Sequence, residues 1–126
     1  MSFKTDKARV LGLGSAKDGT SHWWNQRLTS IALIPLMLLF IFPFAANLGA
    51  DYETVRQTYG NPFHAIVAIL FIAVGCLHLQ QGLQVVIEDY VHDRPIRTAS
   101  LLANTLLTWA LGLTGVFAVA KLAFTA

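Results

Sequence analysis

Residues 63–90 read FHAIVAILFIAVGCLHLQQGLQVVIEDY. From Phe63 to Ile87 the run is longer than the roughly 20 predominantly apolar residues that a helix needs to cross the hydrocarbon core of a bilayer. Two further stretches share this character, Thr29 to Leu48 before it and Ser100 to Phe124 after it. Inside lipid each backbone N–H and C=O must be satisfied within the protein, and for separated spans of this length that means helix. The sequence therefore predicts an all-α chain of three transmembrane helices, about 29–48, 63–87 and 100–124.

The composition agrees. Of 126 residues, 55% are hydrophobic and 13% charged, against roughly 25% charged in an ordinary soluble domain. The polar remainder is too short to bury a core of its own, so one membrane domain spanning 1–126 is expected, not catalytic alone. Residues 1–28 form a polar N-terminal segment. It does not read as a cleavable signal, because the polar lead-in is long and the apolar run after it is a full span. Asp6 and Asp18 among Lys4, Lys7, Arg9 and Lys17 argue against a mitochondrial transit peptide. Cys76 is the only cysteine, which excludes an internal disulfide or a cysteine-held cluster. The net charge of +2 calls for no nucleic acid, since basic residues next to spans follow from topology.

Five Lys and Arg precede the first span (Lys4, Lys7, Arg9, Lys17, Arg27), Arg56 lies in the first loop, Arg94 and Arg97 lie in the second, and Lys121 is near the end. The excess places the N-terminus and second loop on the cytoplasmic side. Trp23, Trp24, Tyr52, Tyr59 and Tyr90 fall near span ends, where amphipathic rings prefer to sit. Pro62 suits the first turn of the second helix and Pro95 the turn before the third, while Pro35 and Pro43 predict a kinked first helix.

The second span carries polar residues that lipid does not favour: His78, Gln80, Gln81 and Gln84. Such residues usually face protein, a cavity or a cofactor. At about 100° per residue, Gly75, His78, Gly82, Val85 and Asp89 share a face. Glycines beside a histidine allow a flat macrocycle or a neighbouring helix to come close, and a neutral imidazole is a good axial ligand for haem iron. A histidine that only glues helices together is the competing reading, and interhelical hydrogen bonding is the simpler role for the glutamines.

Asp89 and Tyr90 close this helix roughly 16–18 Å along the axis from His78. A phenol beside a carboxylate could serve a quinone, the hydroxyl donating to a carbonyl oxygen and the carboxylate orienting it or passing protons. An interfacial tyrosine at a solvated helix end is the plainer alternative. Acidic residues at a helix C-terminus oppose the macrodipole, so Glu88 and Asp89 call for a cation such as Arg94 or Arg97, or for a function. His64 lies fourteen residues before His78 on nearly the same face, but close behind Pro62 it reads as an interfacial polar residue rather than a ligand for a second haem.

Taken together, HLQQGLQVVIEDYVHD (78–93) and RLTSIALIPL (27–36) closely resemble the small hydrophobic membrane anchor subunit of succinate dehydrogenase. The likeness in motifs runs from about Ser21 to Arg94, and the third helix matches only in hydropathy and length. It implies a partner anchor subunit (a cytochrome b), an iron–sulfur subunit and a flavoprotein subunit, assembled on the bacterial cytoplasmic membrane. By position, His78 matches an axial ligand of a shared haem b, Asp89 and Tyr90 match the pair beside the ubiquinone site, and Arg27 matches an arginine that pairs with a haem propionate. For Arg27 a positive-inside charge is the alternative. His22 lies near a family histidine, with its spacing to Arg27 shifted by one residue, and His92 has no counterpart. A fumarate reductase anchor and a cofactor-free structural subunit are the rival identities.

Overall fold

The computed structural model describes residues 5, 10 and 19–125. Within residues 19–125 four helices follow one another: α1 Gly19–Ala46, α2 Tyr52–Gly60, α3 Pro62–Tyr90 and α4 Arg94–Thr125. Three of them, α1, α3 and α4, are long and apolar enough to cross a membrane. No strand occurs among the described residues.

The long helices have 28, 29 and 32 residues, about 42–48 Å at 1.5 Å per residue. A hydrocarbon core is about 30 Å thick, so each helix continues for several turns past the apolar run that announced it. The first is the clearest case, beginning ten residues before the expected Thr29 and including Trp23, Trp24 and Arg27. Hydropathy marks where lipid begins, and the backbone ladder does not stop there.

The helix ends are set by local chemistry. Pro62 occupies the first turn of α3 as expected, where its missing N–H costs nothing, and Asn61 caps that turn by accepting from Phe63 N at 2.9 Å. Asp93 does the same for α4, accepting from Ile96 N at 3.0 Å, so Pro95 stands inside the first turn of that helix. α1 runs on as helix through Pro35 and Pro43. It then tightens: Asn47 N bonds Phe44 O and Leu48 N bonds Ala45 O, both three residues back. Gly49 follows at φ +79°, a conformation that side chains with a Cβ resist, and this turns the chain toward α2.

The amphipathic helix α2 was not anticipated. Its start was legible in Asp51, whose carboxylate accepts from Thr54 N at 3.0 Å. Thr54, through its side chain and then its backbone N–H, holds the Asp51 carboxyl below the usual carboxylate range. α2 lies against both α3 and α4. Tyr59 is accordingly buried, and burial raises its phenol pKa. Arg56 donates from Nε to Thr125 O at 2.9 Å and from Nη1 to Glu53 at 3.2 Å. A cation there satisfies a carbonyl that the end of α4 would leave open.

α3 is the central helix, packed on α4 along one side and on α1 along another. On α4 the buried face is Asn104, Thr108 and Gly112, spaced by four. Small and polar residues at that spacing let membrane helices approach closely. A Cβ on Gly112 would lie 3.3 Å from Cys76 Cβ, and one on Gly115 only 3.0 Å from Ile72 Cγ2. Asn104 Nδ2 donates to Gln80 O at 2.9 Å, and Gln80 Nε2 to Thr105 Oγ1 at 3.3 Å. Gln80 thus takes the interhelical role expected of it. Between α1 and α3, Phe40 stacks on Phe71 with centroids 4.5 Å apart. Ile34, Leu106 and Phe117 remain about two-thirds exposed, as suits side chains that would face acyl chains.

Candidate functional site

His78 is half-buried on the side of α3 that faces α1. Glycines one turn away on each side let α1 come near. A Cβ on Gly82 would lie 3.5 Å from Gln26 Nε2, and one on Gly75 would lie 3.9 Å from Leu33 Cδ2. The glycine-flanked face of α3 is therefore turned to a neighbouring helix of the same chain, one of the two approaches that the spacing allowed.

Two side chains of α1 meet the imidazole. Thr29 Oγ1 lies 2.9 Å from Nδ1, and Gln26 Nε2 lies 3.5 Å from Nε2. The Thr29 hydroxyl is also 2.9 Å from Asn25 O and 3.0 Å from Gln26 O. Carbonyl oxygens only accept, so when the single hydroxyl hydrogen is given to one of them the oxygen keeps lone pairs for His78. In that arrangement Nδ1 carries the ring hydrogen and Nε2 is an acceptor. The Gln26 amide agrees, since its NH₂ can only donate to Nε2. Next to this pair, Gln26 Oε1 and His22 Nε2 are both buried without a hydrogen-bond partner. His22, Gln26 and Thr29 recur at helical spacing on α1, so these unsatisfied atoms lie on the face presented to His78.

Arg27 points elsewhere. Its guanidinium carbon sits 4.8 Å from the centroid of Trp23, one turn earlier, and the residue is exposed. Stacking uses the face of the guanidinium and leaves its N–H edge free to donate.

Asp89 and Tyr90 are both exposed at the end of α3, Tyr90 at 78%. Neither is paired with Arg94 or Arg97, and the cationic partner considered for the acidic end is absent among the described residues. Glu88 is met instead by Gln84 Nε2 at 2.9 Å. The fold does not bring the Asp–Tyr pair onto His78, because all three lie on one straight length of helix. His92 sits beside Tyr90, its Nδ1 3.1 Å from Tyr90 O. His64 donates from Nδ1 to Thr58 O at 3.1 Å at the α2–α3 junction, in keeping with an interfacial polar residue.

Thr29 and Gln26 were not singled out from sequence, although their spacing of three on a helix starting before Thr29 would have put both on one face. A groove of about 200 Å³ also opens between α3 and α4, lined by Cys76, Leu77, Gln80 and Trp109 among others. Its walls are apolar and it lies apart from the Asp89–Tyr90 end. Among the described residues no three His, Cys, Asp or Glu side chains come together, so His78 can offer a single ligand.

Known proteins supply the context. Residues 1–117 match the family model described as succinate dehydrogenase/fumarate reductase transmembrane subunit. The succinate dehydrogenase hydrophobic membrane anchor subunit of Paracoccus denitrificans is 32% identical over 97% of this chain and 94% of its own length. The succinate dehydrogenase membrane anchor subunit of Reclinomonas americana is 35% identical over 74% of this chain and 80% of its own length. That of Rickettsia bellii is 29% identical over 84% and 85%. No solved structure matches. With three long apolar helices and a match over nearly its whole length, the chain belongs to the family of succinate dehydrogenase membrane anchor subunits.

Proposed function

We propose that this chain contributes one axial ligand, His78, to a haem b, and part of a ubiquinone site through Asp89 and Tyr90, in a succinate:ubiquinone oxidoreductase of the bacterial cytoplasmic membrane. Its partners are a second anchor subunit that supplies the other axial ligand, an iron–sulfur subunit and a flavoprotein subunit. The N-terminus and the α3–α4 loop lie on the cytoplasmic side, as the Lys and Arg distribution favours.

The observation that carries this reading is the setting of His78, half-buried against α1 with Nδ1 2.9 Å from Thr29 Oγ1 and Nε2 turned to the end of a glutamine side chain. The residues present fit a haem ligand on their donor chemistry: with Nδ1 held by Thr29 Oγ1, the group in front of Nε2 is the far end of a glutamine side chain. The buried unpartnered atoms Gln26 Oε1 and His22 Nε2 support it too, because polar atoms left unsatisfied inside a helix pair ask for a group from outside this chain. When bound, a haem b supplies a one-electron redox centre inside the bundle.

This chain's own residues then bind and orient. Arg27 offers its free N–H edge to a propionate carboxylate while its face rests on Trp23. Tyr90 donates a hydrogen bond to a quinone oxygen as charge develops there, and Asp89 orients the phenol or passes protons from the cytoplasmic water. Both are exposed in the single chain, as suits a site completed by other subunits.

A cofactor-free structural subunit is the second reading, favoured by the same Thr29 and Gln26 contacts, which also fasten α1 to α3. An optical difference spectrum of the purified complex, dithionite-reduced minus oxidised, separates the two. The wild type should show b-type bands that His78→Leu abolishes or displaces; an unchanged spectrum in that variant removes the ligand assignment.

A further inference from the structure

We infer that Thr29 is a positioning residue for the His78 imidazole: its hydroxyl accepts the Nδ1 hydrogen, fixes the ring in the tautomer that leaves Nε2 bare, and raises the basicity of that nitrogen. The inference rests on His78 being the haem ligand.

The geometry has three parts. Thr29 Oγ1 is 2.9 Å from Nδ1. The same hydroxyl reaches the carbonyls of Asn25 and Gln26 at 2.9 and 3.0 Å, so the backbone offers its hydrogen two acceptors while its oxygen faces His78. The bond joins two helices through residues 49 positions apart, and its donor and acceptor are both partly shielded from solvent, where water does not readily replace a lost partner. A histidine that binds a metal through one nitrogen commonly donates its other N–H to an acceptor that sets ring orientation and ligand basicity. Among the described residues Thr29 is the one that bonds Nδ1, and its hydroxyl hydrogen has backbone carbonyls to go to.

Ser30 provides an internal contrast. Its hydroxyl also donates to Gln26 O, at 2.8 Å, but it is exposed and does not touch His78. Deleting it removes a comparable helix hydroxyl without altering the imidazole.

The test is a redox titration of the haem in the purified complex, together with the low-temperature EPR spectrum of its oxidised form. Thr29→Val keeps the shape and removes the acceptor. A less basic ligand stabilises ferric iron less, so the midpoint potential should shift to more positive values and the largest g-value should move. Thr29→Ser, which restores the hydroxyl, should return both to wild type, and Ser30→Ala should leave both unchanged. Should Thr29→Val fail to assemble, Thr29→Ala removes the same acceptor with less bulk and must give the same positive shift. Wild-type potential and g-values in the hydroxyl-free variants overturn the inference, as does an equal shift in Ser30→Ala. Running His78→Leu alongside separates the two levels. Loss of the haem bands there with an unshifted Thr29→Val rejects the role of Thr29 alone, whereas bands that survive in His78→Leu reject the ligand as well.

Discussion

The hydroxyl oxygen of Thr29 and the Nδ1 of His78 lie 2.9 Å apart, a contact between the first and second membrane-spanning helices made from positions 49 residues distant. Hydrogen bonds of this kind between membrane helices contribute on average about 0.6 kcal/mol, up to about 2. That is modest for cohesion. Its larger effect is on the chemistry of the ring, because the direction of the bond decides which nitrogen keeps a lone pair. One contact thus serves both packing and ligand presentation.

Tyr90→Phe tests the quinone assignment. Loss of a hydrogen bond to a group carrying charge costs about 1.5–3 kcal/mol, equivalent to a fall of roughly 10- to 100-fold in rate. Succinate:quinone reductase activity should drop by that order while succinate oxidation with an artificial acceptor stays near wild type. Equal loss of both activities would indicate failed assembly instead.

Arg27 stacks on Trp23, and its role can be read from the haem rather than from turnover. If its N–H edge pairs with a propionate, Arg27→Ala removes a positive charge near the iron, which favours the ferric form, so the haem midpoint potential should shift downward. Where the orphaned propionate takes up a proton, that proton compensates the lost charge, so the shift should be smaller at low pH than at high pH. Titrations at two pH values should show the larger downward shift at the higher pH, and a potential identical to wild type at both would leave Arg27 with topology alone.

The α3–α4 seam makes a stability prediction. A Cβ at Gly115 would already stand 3.0 Å from Ile72 Cγ2, so Gly115→Val must push the helices apart. Overpacking of this sort costs about 1–3 kcal/mol. Thermal denaturation of the detergent-solubilised complex should show a lower midpoint for Gly115→Val, and no comparable change for Leu111→Val, whose side chain faces outward at 64% exposure. A Gly115→Val complex as stable as wild type would contradict the seam.

Asp51 carries a pH dependence confined to α2. Its folded pKa is lowered, from a model-peptide value near 3.8, by Thr54. A depressed carboxyl stabilises the fold above its unfolded pKa, and that stabilisation is lost as pH falls below about 4 and through the folded value. Amide hydrogen exchange in residues 52–60, corrected for intrinsic rates, should accelerate over that window in the wild type. Asp51→Asn, which caps without titrating, should show no such step.

The length and apolarity of three stretches were enough to establish an all-α membrane chain, because a span in lipid must close its own hydrogen bonds and so must be helix. Pro62 marked a helix start because its effect is local: its missing N–H and fixed φ suit a first turn. The polar face around His78 and the family likeness were also legible. The tertiary structure decided what lies across from these residues. That Thr29 and Gln26 face His78, that Asn104 reaches Gln80, and that Arg56 closes the end of α4 at Thr125 all depend on the register between helices. Register is set by glycines and small residues packing over many turns, and no stretch of sequence read by itself contains it.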